Sequence, residues 1–192
     1  ANGGKYGWGF NPNQLVRVVD PDSGAIYQDK VNSSGWRDIE HNFAKPKDVF
    51  RILLLGDSNT FGYIIPQKEL YTRVLERKLK KMGYSAEIIS MAYSGWGTDQ
   101  QFEALKEEGL RYKPDLVILQ VTSNDLDDNF YWRDMGKFGN RKPFYYKLSD
   151  TGHAERHTNK RFLSYRKKFS RNYFVSQSQI LMRIDLVKER FR

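Results

Sequence analysis

Phe50-Arg51-Ile52-Leu53-Leu54-Leu55-Gly56-Asp57-Ser58-Asn59-Thr60-Phe61-Gly62 is the stretch on which the fold turns. Ile52 to Leu55 are apolar at consecutive positions, so both faces of the strand they form are expected to be covered, as in a parallel sheet with helices on each side. The ligand crevice of such a sheet lies at the carboxyl ends of its strands. Ser58 falls at that edge, close to a glycine that can take backbone angles closed to larger residues. The stretch alone also admits a plainer reading, in which Ser58 or Thr60 caps the following helix.

The same alternation recurs downstream. Leu70, Val74, Leu75, Leu79 and Met82 stand at helical spacing, with Gly83 as the stop. Ala86 to Met91 reads as a second strand. Thr98 to Gln101 has the form of a capping box, with Phe102, Leu105 and Gly109 marking the inner face of the next helix. Asp115 to Val121 is a third strand, again apolar on successive positions. Strand, helix, strand, helix, strand implies right-handed parallel crossovers and an α/β sandwich.

Upstream, residues 1–13 read as an irregular arm rich in glycine, asparagine and aromatics. Leu15–Val19 and Ala25–Gln28 pair as a hairpin around Asp20-Pro21-Asp22-Ser23-Gly24. Residues 1–48 are expected to form a cover laid against the domain, and 49–192 the domain itself. Beyond residue 122 a loop holds Asp125, Asp127 and Asp128. Pro143–Ser149 is a strand candidate, Asp150-Thr151-Gly152 a turn, and 160–191 a basic helix with Ile180, Ile184, Val187 and Phe191 on one side.

At 192 residues, 39% hydrophobic and 15% aromatic, the chain can bury a proper core and is not a disordered segment. It has no cysteine, which excludes disulfides and cysteine nucleophiles, and no apolar run of membrane-spanning length. The net charge of +9 is unevenly placed: residues 1–129 carry 16 basic and 18 acidic side chains, residues 130–192 carry 16 and 5. An anionic polymer or membrane surface suits the basic part, with nucleic acid not expected. A solvated helix face, or a patch covered by further sequence, explains the same charge. Asp125, Asp127 and Asp128 have no regular ligand spacing and read as a solvated acidic loop, so neither a metal nor a cofactor is called for.

Each strand ends in a small polar block: Gly56-Asp57-Ser58, then Ala92-Tyr93-Ser94-Gly95-Trp96-Gly97, then Thr122-Ser123-Asn124-Asp125. In a parallel sheet these ends lie side by side. A hydroxyl to attack a carbonyl, a glycine N–H and an asparagine carboxamide to hold the resulting oxyanion are what acyl transfer requires. In order, spacing and strand context the three blocks resemble those of the GDSL/SGNH hydrolases, over roughly residues 32 to 129. Asn32-Ser33-Ser34-Gly35-Trp36-Arg37 is similar to the lead-in of many bacterial members. The resemblance implies a flavodoxin-like three-layer fold and esterase chemistry on an O-acyl group, an acetyl foremost, of a small molecule or carbohydrate. By it, Ser58 is the nucleophile, and its own N–H, that of Gly95 and the Asn124 side chain form the oxyanion hole. Asp57 and Asp125 would orient the loops. Relatives with this prelude are often exported, which points to an extracytoplasmic setting.

Three departures accompany the resemblance. Asn59 replaces the leucine of the family's name, and Thr122 stands where glycine is usual. The family's last block, Asp-x-x-His, supplies the base. Asp150-Thr151-Gly152-His153 spells it, but only 29 positions after Asn124, and reads better as a hairpin turn. His157 has no better claim, and His41, in the prelude, reads as a surface or packing residue. The expectation is therefore a chain that stops before its catalytic histidine. An O-acetyltransferase on the same fold shares the first half-reaction, and a non-catalytic module that binds an anionic surface is the reading from another class.

Overall fold

The structure is a computed structural model that describes residues 3–129 and 142–160. It opens on a short helix, α1 (Gly3–Tyr6), where the sequence reads an irregular arm. β1 (Leu15–Val19) and β2 (Ile26–Lys30) follow as the expected antiparallel hairpin. The Asp20 carboxylate closes its turn by accepting the N–H groups of Asp22 and Ser23.

β3 (Phe50–Gly56) leads into α2 (Ser58–Phe61), α3 (Tyr71–Lys81), β4 (Ala86–Ala92), α4 (Thr98–Glu107), β5 (Leu116–Leu119) and α5 (Asp125–Asn129). β3 runs parallel to β4 on one side and β5 on the other, in the order β4-β3-β5. Its side chains alternate between two cores, as a covered parallel strand requires. Leu53 and Leu55 pack with Tyr6, Trp36, Ile89, Met91 and Trp96 on the α4 side. Ile52 and Leu54 pack with Ile88, Leu75 and Leu79 on the α3 side. This is the α/β sandwich with a parallel sheet expected from the strand and helix pattern. Tyr6 and Trp36 bring the first 48 residues into that core.

Leu70, Leu75 and Leu79 around α3 and Leu105 on α4 face the core as expected, but both helices also bury polar residues, and Met82 and Phe102 turn outward. On α3 the buried residues are Thr72, Arg73 and Glu76, while Met82 is 70% exposed. The reason is the outer edge of β4, whose peptide groups have no strand partner among the described residues. The Glu76 carboxylate accepts the Ile88 N–H at 2.8 Å, Arg73 donates to the Ile88 carbonyl, and the Asp38 carboxylate accepts the Ser90 N–H at 2.7 Å. On α4, Phe102 is 50% exposed and Gln100, Gln101, Glu103 and Ala104 are buried. Gln100 donates to the Tyr6 carbonyl and Gln101 to Asp125, so the polar positions serve neighbouring elements.

β5 differs too. Leu116, Val117, Ile118 and Leu119 are 43%, 38%, 36% and 46% exposed, so among the described residues neither face of this strand is covered. β6 (Phe144–Leu148) and β7 (Ala154–Thr158) form a separate antiparallel hairpin set against α4 through Tyr146 and Phe102, ring centroids 6.0 Å apart. Among the described residues no helix is long and apolar enough to cross a membrane. The basic segment read over 160–191 lies, past Lys160, outside the described residues.

Candidate active site

Gly56 stands opposite Ala92, and Leu55 opposite Leu119. The three blocks therefore leave adjacent strand tips. Gly56 is needed for space, not for the unusual backbone angles expected of it. A Cβ there would come within 2.0 Å of the Thr60 hydroxyl oxygen. Ser58 is the first residue of α2 and is half-buried. The cap of that helix is Asp57, whose carboxylate accepts the Asn59 N–H at 3.0 Å. Thr60 is fully buried, its hydroxyl on Gln120 and on Tyr71 at 2.9 Å. Neither Ser58 nor Thr60 is the cap, and the plainer reading of Ser58 falls.

The other Asp57 oxygen joins the first block to the third. It accepts the Thr122 hydroxyl at 2.7 Å and the Asn124 amide at 3.1 Å. Burial works against the charged carboxylate, but the Asn59 N–H, the Thr122 hydroxyl and the Asn124 amide outweigh it and hold Asp57 below the usual carboxylate range. Asp125 is buried and closes the loop on itself by accepting the Thr122 N–H at 2.6 Å. Asn124 is exposed, and its amide also donates to Asp128 at 2.8 Å. Both N–H groups of the carboxamide thus rest on carboxylates. Burial, with the charges of Asp125 and Asp57, pushes the Asp128 carboxyl up against the opposing effect of Asn124 and Lys142.

The second block makes a turn in which the Trp96 N–H meets the Tyr93 carbonyl and Gly95 has a φ of +75°. That angle falls in the left-handed region, which a side chain would strain. Tyr93 packs on Phe61 of α2, ring centroids 5.1 Å apart, and on Phe10 at the same distance. The Trp8 indole N–H donates to the Ser94 carbonyl at 2.8 Å. The lead-in reaches the first block as well. Buried Arg37 donates to the carbonyls of Phe61 and Gly62, each at 2.7 Å, and to Ile65, while Asp29 holds its guanidinium from behind. The sequence reading missed the parts of Trp8, Arg37 and the Thr122 hydroxyl. The lead-in spelling marked Arg37 and the departure from glycine marked Thr122, but nothing in the sequence marked Trp8.

None of the three histidines is placed against Ser58 by a hydrogen bond of the described residues. His41 lies between Asp38 and Glu87, at 3.1 and 2.6 Å. Glu87 is about five residues from the Ala92 end of β4, roughly 16 Å along a strand. His153 closes the β6–β7 turn, its N–H on the Ser149 hydroxyl and its carbonyl on the Ser149 N–H. Asp150-Thr151-Gly152-His153 is thus the hairpin turn expected of it. His157 stacks on Tyr145, 5.3 Å between centroids.

The adjacent strand tips thus carry a hydroxyl, a left-handed glycine and a carboxamide. Residues 54–141 match the GDSL-like lipase/acylhydrolase family, and the resemblance read from the three blocks holds over that stretch. Among solved structures, the chain is similar to the crystal structure of TesA, at 23% identity over 39% of this chain and 42% of that one, TM-score 0.37. It is also similar to a point mutant of the esterase AlinE4, at 29% identity over 45% of this chain and 47% of that one, TM-score 0.37. The chain thus spans less than half the length of these structures. Among curated proteins none matches it.

Proposed function

We propose that this chain carries the nucleophile and oxyanion donors of a serine esterase acting on an O-acyl ester, an acetyl ester foremost. The Ser58 hydroxyl oxygen attacks the acyl carbon and gives its proton to a base. The carbonyl oxygen becomes an oxyanion facing the N–H groups of Ser58, Gly95 and Asn124. Collapse breaks the ester bond, the alcohol leaves with the proton, and water then hydrolyses the acyl-enzyme. For Asn124 to donate, one of its two N–H groups must leave a carboxylate, and the bond to Asp128 is the more exposed of the two. His41, His153 and His157 are engaged elsewhere as described, so none of them is assigned the role of that base.

The observation that carries this reading is the hydrogen bonding of Asp57, which ties the Asn124 loop to the Ser58 turn and takes over the capping duty that would otherwise occupy Ser58. One observation favours a non-catalytic module instead: both Asn124 N–H groups already rest on carboxylates. A single experiment separates the two. The full-length protein, incubated with a fluorophosphonate probe and with p-nitrophenyl acetate, should be labelled and turn over. Ser58→Ala should lose both. A full-length protein that takes no label overturns the esterase reading.

A further inference from the structure

We infer that Trp8, far outside the three blocks, is a positioning residue for the oxyanion hole, which it sets through the peptide plane between Ser94 and Gly95. The inference rests on the esterase reading of Gly95. The Ser94 carbonyl and the Gly95 N–H belong to one planar peptide group, in which C=O and N–H point in opposite directions. Fixing the carbonyl fixes the direction of the N–H. The Trp8 indole N–H holds that carbonyl at 2.8 Å. The hold is reciprocal, because the Trp96 indole N–H donates to the Trp8 carbonyl at 3.2 Å. Trp8 also lies against the turn itself: a Cβ at Gly95 would sit 3.6 Å from its ring.

Such a hold is needed because a glycine at φ +75° has little intrinsic preference for that angle, and its plane is otherwise free to flip. A donor that must be in place before charge develops gains from being fixed in advance. The indole N–H does a second thing: drawing on the Ser94 carbonyl polarises the peptide, which makes its N–H a stronger donor. Trp96 anchors the far side of the turn, buried against Tyr6 and Trp36 with ring centroids 5.4 and 5.7 Å away. The turn is thereby clamped between residues at both of its ends.

The test uses the full-length protein with Trp8→Phe, and with benzothienylalanine at position 8, which keeps the shape of the indole but lacks its N–H. Both should lower kcat on p-nitrophenyl acetate, and the rate of fluorophosphonate labelling, by about tenfold, with KM within about twofold. The Gly95 amide proton should move upfield in both, as a less polarised peptide requires. If Trp8→Phe melts early, the benzothienyl variant decides. Labelling at the unaltered rate with an unmoved Gly95 resonance overturns the role of Trp8 and leaves the esterase reading standing. An unaltered protein that takes no label overturns that reading, and the catalytic role of Trp8 with it.

Discussion

Thr122 occupies a position where the family usually has glycine, and its hydroxyl shows what the side chain adds. That oxygen lies 2.7 Å from Asp57, 2.8 Å from the Asn124 carbonyl oxygen and 3.1 Å from Asp125. With one proton to give, it favours the carboxylate at the shortest distance, since hydrogen bonds to charged groups are the stronger ones. Thr122→Val should cost about 1 kcal/mol in urea unfolding at neutral pH, because this half-exposed site lets water replace part of the lost bond. Thr122→Ser should restore it. Asp57 is held below the usual carboxylate range, so this contribution is present above about pH 4 and is lost as pH falls through its folded-state value. The gap between Thr122→Val and the unaltered protein should therefore close in acid. A gap that stays constant down to the acid transition would show that the hydroxyl acts on something other than Asp57.

The elements tell a similar story about α2. Four residues make one turn of helix, which is not stable by itself. Its C-terminal carbonyls are held by Arg37, a buried fork that no lysine can reproduce because a lysine ammonium gathers its three donors on one nitrogen. Arg37→Lys should cost about 2 kcal/mol in urea unfolding and loosen the Ser58 turn, which faster amide exchange at Phe61 and Gly62 would report. Unchanged exchange there would mean that Arg37 does not hold α2. The elements also show where the sequence was legible. Consecutive apolar residues located β3 and β5, and the Asp-Pro-Asp-Ser-Gly spelling located the first hairpin, because both signals are local. The apolar part of the inner faces of α3 and α4 was legible in Leu75, Leu79 and Leu105, but the polar part was not. Arg73, Glu76, Gln100 and Gln101 are buried because of what meets them: α1, α5 and the edge of β4 that has no strand partner among the described residues. Periodicity ranks residues by hydrophobicity and carries no information about a neighbour with peptide groups to satisfy.

At the scale of the molecule, one charged network ties the prelude to the sheet. Asp38 and His41 come from the prelude, Glu87 from β4, Arg51 from β3 and Arg73 from α3. Burial opposes a charged His41, but hydrogen bonds and charge from Asp38 and then Glu87 outweigh it and raise its pKa above the ordinary histidine value. A raised value in the folded state means that the stabilisation is complete below about pH 6.5 and is lost as pH rises through the folded-state value. Urea midpoints should fall over that window in the unaltered protein, and His41→Gln should flatten the slope. A slope that persists in His41→Gln would place the titration elsewhere. The sequence set His41 apart from Ser58 correctly but gave it a surface or packing role, since its two carboxylate partners are 3 and 46 positions away.

The arm's attachments carry a kinetic consequence. Trp8 meets Ser94 across 86 positions and Gln100 meets Tyr6 across 94. Closing loops of that length costs entropy before any contact returns it, so contacts of this kind slow folding. The arm's residues are thus among the last to settle, and until they do the second block waits for its clamp.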